Sequence, residues 1–188
     1  TFKRVEFREG LNVLLSDRDP EASEKQTRNS AGKTSLVEII HFLLGSDCDK
    51  KSLFRTDELI DHTFTGEFDF WGSKYSIERG GSQPARIFLL QGFDGRDDLP
   101  IKSDKKSERL YLSNENWKVM LAHILFGLPA NQSGTVYEQT FTPSFRSMIS
   151  YFIRRENSGA FISPERQAEK QQRWDWQENL SYLFGLDW

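Results

Sequence analysis

A short glycine-lysine-threonine segment constrains the fold of this chain more than any other feature. Residues 32–34 read Gly-Lys-Thr and stand between an apolar run at residues 11–15 and a dense apolar stretch that begins at Leu36. The run is typical of a strand that is buried on both faces. The stretch is too uniformly apolar for a one-sided amphipathic helix, so it predicts a largely buried helix, which Gly45 ends. The sequence therefore predicts a strand, a loop and a buried helix, in that order.

Residues 29–35 carry the chemistry of a phosphate-binding loop. Such a loop needs backbone N–H groups at a helix N-terminus, a lysine that reaches the β and γ phosphates, and a hydroxyl that ligates magnesium. Thr27 stands where the complete motif has its first glycine, and a β-branched residue is costly at positive φ, so the upstream loop must follow another path. The predicted nucleotide-binding residues are Asn29, Ser30, Ala31, Gly32, Lys33, Thr34 and Ser35, with Thr34 as the magnesium ligand.

Alternating apolar residues predict two hairpins. Residues 2–7 turn at Gly10 into the run at 11–15, which indicates a hairpin at the start of the chain. Residues 64–77 alternate on both sides of a Trp-Gly-Ser-Lys break, which is the strongest hairpin signal in the sequence. Residues 87–90 predict a further strand. The polar segments at residues 16–29 and 91–109 are expected to be loops.

Helix starts mark the second half of the chain. Ser113 is a candidate cap for a helix that carries Trp117 and that Pro129 ends. Thr142-Pro143 and Ser163-Pro164 predict two more helix starts, because proline is favoured at the first helical position.

Composition excludes several classes of protein. The chain has 188 residues, a formal net charge of -3 and 13% aromatic residues, which fits one domain with a packed core. A single cysteine excludes an intrachain disulfide and a zinc site with several cysteines. No apolar run approaches the ~20 residues that span a bilayer, so we expect no membrane contact and a cytoplasmic protein.

Other side chains have both a structural and a functional interpretation. His41 and His123 lie in apolar helices without a second ligand nearby and are expected to be core or boundary residues. Arg154 and Arg155 either reach phosphate or DNA or lie in water at a helix end.

Both ends of the chain resemble a known family. Residues 2–13, the segment at 27–35 and the helix at 38–45 are similar to the N-terminal ATPase head segment of SMC-type and RecF-type ABC ATPases. Within that group the chain is most similar to the bacterial YydD-like proteins, which carry a coiled coil and a C-terminal domain after the head. Residues 145–155 and 183–188 fit the same family. A long polar insertion before the lysine is usual in it.

The resemblance implies a split active site. In such heads the N-terminal segment supplies the phosphate loop and a loop with a magnesium-binding glutamine. Residues 152–155 stand where related heads carry that second loop but hold arginine in place of glutamine; the candidates elsewhere, each more often a solvated side chain, are Gln139, Gln167, Gln171, Gln172 and Gln177. A distant C-terminal segment supplies the signature motif and the acidic residues that hold magnesium and activate water. This sequence contains no apolar strand followed by Asp-Glu, so the catalytic residues stay unassigned, and we expect the chain to bind ATP and Mg²⁺ better than it hydrolyses ATP. The implied partners are the C-terminal head segment of the same protein, a second copy joined through ATP, and DNA, in genome maintenance or defence.

The predicted fold is an α/β P-loop NTPase of ABC type. Residues 1–110 would form a mixed sheet with antiparallel hairpins around the P-loop helix, and residues 111–188 a helical lobe. Two other functions stay open. A small P-loop kinase needs an aspartate or an arginine-rich lid beyond the helix, and a nucleotide-gated interaction module binds without hydrolysis.

Overall fold

The computed structural model describes residues 4–13, 33–94, 98–128 and 143–186. Over these residues the chain forms four α-helices and one five-stranded sheet. In chain order the elements are α1 (Lys33–Leu43), β1 (Thr63–Phe70), β2 (Ser73–Gly80), β3 (Arg86–Gln91), β4 (Lys102–Ser103), β5 (Leu110–Ser113), α2 (Asn114–Phe126), α3 (Phe145–Phe152) and α4 (Arg173–Leu183). The protein is therefore a mixed α/β fold.

The sheet is antiparallel throughout, with the strand order β1-β2-β3-β5-β4. The hairpin predicted at residues 64–77 is confirmed, because β1 and β2 pair from Thr63 opposite Gly80 to Phe70 opposite Ser73. The strand predicted at residues 87–90 is confirmed as β3. The mixed sheet expected from the sequence is not seen in the described residues, where every strand runs antiparallel to its neighbours.

A two-residue turn closes the β1-β2 hairpin. Trp71 and Gly72 both have positive φ, the combination whose twist suits a hairpin. The Asp69 carboxylate accepts a hydrogen bond from the Gly72 N–H at 2.8 Å. The Trp71 indole N–H donates to the Ile124 carbonyl of α2 at 3.0 Å, which ties the tip of the hairpin to that helix.

One face of the sheet is apolar and packs against α1 and α2. Successive strand residues project to opposite faces, so alternate residues reach the core while their neighbours carry the charges of the other face. Trp117 of α2 is fully buried, and its indole N–H donates to the Leu43 carbonyl at the end of α1 at 2.9 Å. The core cluster includes Leu43, Leu44, Phe70, Tyr75, Ile77, Ile87, Phe93, Leu112, Trp117, Met120, Leu121, Phe145 and Ile149.

A buried arginine joins the end of α1 to the sheet. Arg79 of β2 is 1% exposed. Its guanidinium donates to the carbonyls of Phe42, Ser46 and Pro84 and lies over the Phe42 ring, 4.2 Å from the ring centroid. The helix that it meets ends as predicted, with Gly45 at φ +83° just beyond Leu43. Main-chain carbonyls therefore satisfy this buried cation.

The hairpin predicted at the start of the chain is not formed over residues 4–13. These residues carry no strand, and the side chains of Leu11 and Val13 are 92% and 65% exposed, so the expected burial of residues 11–13 on both faces is wrong. Their turn is held by local bonds in which Asn12 accepts from the Arg8 N–H and donates to the Arg8 carbonyl. Local bonds fix a turn, but only a neighbouring strand or helix buries its arms.

Of the three predicted helix starts, one is confirmed, one is shifted and one does not begin a helix. Ser113 caps α2 as predicted, accepting from the Asn116 N–H at 3.2 Å. The start predicted at Thr142-Pro143 is shifted, because Ser144 and Ser147 form a capping box and α3 begins at Phe145; Thr142 itself lies outside the described residues. No helix begins at Ser163-Pro164, since side chain bonds hold those residues in turns.

The transition from sheet to helices falls after Ser113. The sequence predicted a boundary between sheet and helical lobe after residue 110. Strand β5 (Leu110–Ser113) crosses that boundary, and α2 follows it directly. The Asn114 N–H, the first of that helix, donates to the Ala85 carbonyl at 2.9 Å. The sheet and the first helix of the second half therefore form one continuous unit.

Candidate functional site

The first turn of α1 lines a small cavity. Thr34 and Glu38 are four residues apart and share one face of the helix. They face the segment that follows α3 across a cavity of about 170 Å³. The lining residues are Thr34, Val37, Glu38, Arg154, Arg155, Glu156, Asn157 and Phe161, and we call this space the α1 cavity. The fold therefore brings the predicted magnesium ligand next to the Arg154-Arg155 pair, which is 120 residues away in the sequence.

An ion pair spans the α1 cavity. A guanidinium nitrogen of Arg155 lies 3.0 Å from a carboxylate oxygen of Glu38, and both side chains are mostly buried. The Nε of Arg155 is also buried and has no hydrogen-bond partner. A buried donor without a partner is costly, and an incoming acceptor removes that cost. Arg155 is therefore held by one carboxylate and retains a donor that is not satisfied.

Arg154 has a different role from its neighbour. Its guanidinium donates to the carbonyls of Ala160, Ser163, Pro164 and Arg166. These bonds hold the turns at residues 160–166 against the end of α3. Neither interpretation offered for Arg154 by the sequence describes it, because its two terminal nitrogens donate to main-chain carbonyls rather than to water or to an external phosphate. Its Nε, like that of Arg155, is buried without a partner.

A histidine connects α1 to the arginine segment. His41 is fully buried, and its Nε2 lies 2.9 Å from the Ile153 carbonyl while its Nδ1 lies 2.7 Å from a guanidinium nitrogen of Arg146. A guanidinium can only donate, so Nδ1 accepts and Nε2 carries the proton given to Ile153. The sequence-based interpretation of His41 as a core residue is confirmed.

Positive charge surrounds this histidine. Burial, with the nearby charges of Arg155 and Arg146, lowers the pKa of His41 from 6.5 to about 3. Burial and the charge of Arg155 lower the pKa of Arg146 to about 10. Arg146 and Arg155 therefore place positive charge next to a neutral imidazole. His41 lies in the last turn of α1 and Arg146 also donates to the Leu44 carbonyl, so these charges lie towards the C-terminal end of the helix, where cations stabilise the negative end of the dipole.

Part of the predicted site lies outside the described residues. Asn29, Ser30, Ala31 and Gly32 are not described, and neither is the side chain of Lys33, whose backbone begins α1. Thr34 is exposed and Ser35 is half-buried in the first turn. The polar loop expected at residues 16–29 also falls outside the described ranges.

The four candidate glutamines that the structure describes, Gln167, Gln171, Gln172 and Gln177, do not line the α1 cavity. Gln171 donates to Asp175 and to the Tyr151 hydroxyl near the start of α4, and its side-chain oxygen accepts from the Gln167 N–H. Gln172 and Gln177 also belong to the α4 region, and Gln139 is not described. Among the described residues, an arginine, Arg155, takes the place by α1 where the resemblance led us to expect a glutamine.

Sequence reasoning missed Glu38 and the bond from His41 to Ile153. The spacing of Thr34 and Glu38 places both on one helix face and is visible in the sequence, but the partner of Glu38 is 117 residues away. Within the described ranges, no group of three or more His, Cys, Asp and Glu side chains is placed to hold a metal ion.

Comparison with known proteins gave no relative. No protein-family model, no curated protein and no solved structure matches this chain. Across the described residues, no helix combines the length and the apolar character that a membrane crossing requires.

Proposed function

We propose that this chain binds ATP with Mg²⁺ at the start of α1, as the N-terminal part of a split SMC-like ATPase head. The observation that carries the proposal is the α1 cavity, where Thr34 of the phosphate-loop sequence lies in the same space as Arg155. The start of α1 supports it, because backbone N–H groups at a helix N-terminus bind phosphate groups.

The residues divide the work by chemistry. The sequence assigns Lys33 to the β and γ phosphates and Thr34 to magnesium. Arg155 supplies a second cation, which exchanges the Glu38 carboxylate for a phosphate oxygen when the nucleotide binds. His41 holds the carbonyl of Ile153 and thereby positions the segment that carries Arg155.

Hydrolysis belongs to the complete head in this proposal. A phosphate cradle speeds phosphoryl transfer only when a second group orients the attacking water. The resemblance places that group in a C-terminal head segment, together with ATP-dependent pairing of two heads and action on DNA. We expect the chain of 188 residues to bind ATP with negligible turnover, and turnover to appear when the C-terminal segment is supplied.

Calorimetry with ATP and Mg²⁺ tests the nucleotide site. Lys33→Ala is expected to weaken binding about 10-fold to 150-fold, because a charge-assisted contact is worth about 1.5–3 kcal/mol. Lys50→Ala, which removes the same charge from an exposed loop, is the matched control and should bind like the wild type. Equal affinity of the wild type and Lys33→Ala would refute the nucleotide site. Rapid turnover by the isolated chain that is lost in Lys33→Ala would favour a self-sufficient NTPase or kinase.

A further inference from the structure

The face of the sheet turned away from α1 and α2 carries a second concave site. The loop at residues 82–85 and the turn at 104–107 stand on either side of strands β2, β3 and β5. Between them lies a groove of about 920 Å³, which we call the outer groove. Its floor is formed by side chains of the three strands, so regular backbone pairing fixes their spacing.

Two arginine-aromatic stacks form the floor of the outer groove. Phe88 of β3 and Tyr111 of β5 are directly paired across the two strands, and their ring centroids are 6.0 Å apart. The guanidinium of Arg86 lies over the Tyr111 ring at 4.8 Å, and that of Arg109 lies over the Phe88 ring at 4.4 Å. Each aromatic ring is therefore covered by a cationic plane.

Carboxylates fix both arginines in place. Arg86 pairs with Asp104 at 2.5 Å and Arg109 with Glu78 at 2.8 Å, and each arginine side chain is still more than one-third exposed. The Asp104 carboxylate also accepts from the Ser107 hydroxyl and from two backbone N–H groups of its turn. Planar groups held on both an aromatic ring and a carboxylate lose little entropy when a further ligand stacks on them.

The outer groove carries a surplus of positive charge. Arg86, Arg109, Lys105 and Lys106 line it, against the two carboxylates of Glu78 and Asp104. Those carboxylates are already paired with the arginines, so Lys105 and Lys106 remain as the cations at its rim. The surplus is local, because the chain as a whole has a formal net charge of -3. Charge complementarity thus favours an anionic ligand that also has flat faces.

We propose that the outer groove binds single-stranded nucleic acid, with neighbouring bases on the Arg86 and Arg109 planes and backbone phosphates beside Lys105 and Lys106. Unpaired bases stack on guanidinium planes and aromatic rings, whereas a duplex hides its base faces. An acidic peptide satisfies the lysines but leaves the two planes unused. The proposal deepens the nucleic-acid part of the proposed function and does not use the nucleotide site.

Fluorescence anisotropy tests this site on the whole chain in the absence of ATP. The probes are labelled oligothymidylate and oligouridylate of twelve residues, a duplex of equal length, and polyglutamate. The first variant is Arg86→Lys with Arg109→Lys, which keeps both charges and removes both planes. It is expected to weaken binding of the single strands by at least about 5-fold to 150-fold, which is the effect of one of the two lost stacking contacts.

The second variant is Lys105→Ala with Lys106→Ala. For this variant, the slope of log K against log salt concentration is expected to be shallower by about 1.4. Each phosphate contact on a single strand contributes about 0.7 to the slope, and the variant removes two lysines. Lys170→Ala with Arg173→Ala removes the same charge near α4 and should leave affinity and slope unchanged.

Four results would overturn the proposal. They are binding of the duplex or of polyglutamate as tight as that of the single strands, no binding of either single strand, no effect of the arginine variant, and an equal effect of the control pair. Calorimetry with ATP on the same preparations separates this outcome from failure of the nucleotide site, since each site can fail while the other binds its ligand.

Discussion

The arginines of this protein occupy two contrasting environments. Inside the fold, Arg79 and Arg154 donate to main-chain carbonyls. On the outer face of the sheet, Arg86 and Arg109 stack on aromatic rings and pair with carboxylates while staying partly exposed. An arginine whose donors are used by carbonyls is part of the architecture, whereas one that is held by a single carboxylate keeps a face for a ligand. Arg155 is intermediate, because it is mostly buried but paired with a carboxylate.

The largest expected effect tests whether the interior arginines are structural. Arg79→Ala removes the donors to three carbonyls and the stack on Phe42, so the free energy of unfolding should fall by at least about 3 kcal/mol. Arg86→Ala, the same substitution on the outer face, should cost at most about 1 kcal/mol. Urea unfolding measures both. Equal losses would end the distinction between the two environments.

The second effect is a loss of folding stability at low pH, which we attribute to the buried His41. The folded state holds the pKa of His41 near 3, whereas an unfolded chain takes up a proton near 6.5. The stabilisation is therefore complete above pH 6.5 and is lost as the pH falls towards 3, by about 1.4 kcal/mol per pH unit between pH 6 and 4. Unfolding curves measured across this range give the slope.

A matched pair of variants assigns that slope to one residue. His41→Gln should flatten it between pH 6 and 4, whatever the stability of the variant at neutral pH, because proton uptake by His41 in the unfolded state no longer contributes. His62→Gln, which replaces an exposed histidine, should leave it unchanged. The assignment is wrong if the two variants show the same slope.

The third effect tests whether Arg155 acts as a structural arginine or as an arginine that binds a ligand. If this side chain contacts the γ phosphate, Arg155→Gln should weaken ATP binding about 10-fold and ADP binding much less, because ADP has no γ phosphate. Arg173→Gln is the control at an exposed position. Calorimetry with both nucleotides gives the ratio. Parallel losses for ATP and ADP would show that Arg155 acts on the fold rather than on the phosphate.

The smallest effect has the opposite sign. Glu38→Gln removes the carboxylate that competes for Arg155, so ATP affinity should rise, by at most about 5-fold because a partly exposed ion pair is worth up to about 1 kcal/mol. The same calorimetry measures it. A weaker affinity in this variant would mean that the ion pair orders the site rather than competing with the ligand.

Sequence patterns predicted the parts of the fold that depend on neighbours along the chain. The alternation at residues 64–77 predicted the β1-β2 hairpin, and Ser113 predicted the start of α2, because side-chain period and capping are local. The dense apolar stretch after Lys33 predicted α1. Thr34 was placed in the candidate site for the same reason, since its helix position follows from the spacing of the motif.

Contacts between distant segments decided the rest. The bond from His41 to Ile153 spans 112 residues and leaves no periodic signal. Arg155 was separated from Arg154 only by the partners that each finds in the fold. The sequence did not predict the exposure of Leu11. An apolar strand pattern indicates which side chains could be buried, but it does not show whether a neighbouring strand or helix covers them. The outer groove combines strands that are adjacent only after the sheet forms.

The turns at residues 160–166 surround a cation in the way that a metal-binding loop surrounds its ion, except that the cation is the side chain of Arg154. Carbonyls from four residues converge on the Arg154 guanidinium, much as oxygen ligands converge on calcium. This cation cannot dissociate, cannot be removed by a chelator and does not lose its charge at physiological pH. Its coordination sphere also fixes the backbone at the residue before Arg155. The Arg154 side chain therefore joins the 160–166 turns directly to the segment that carries Arg155 along the wall of the α1 cavity.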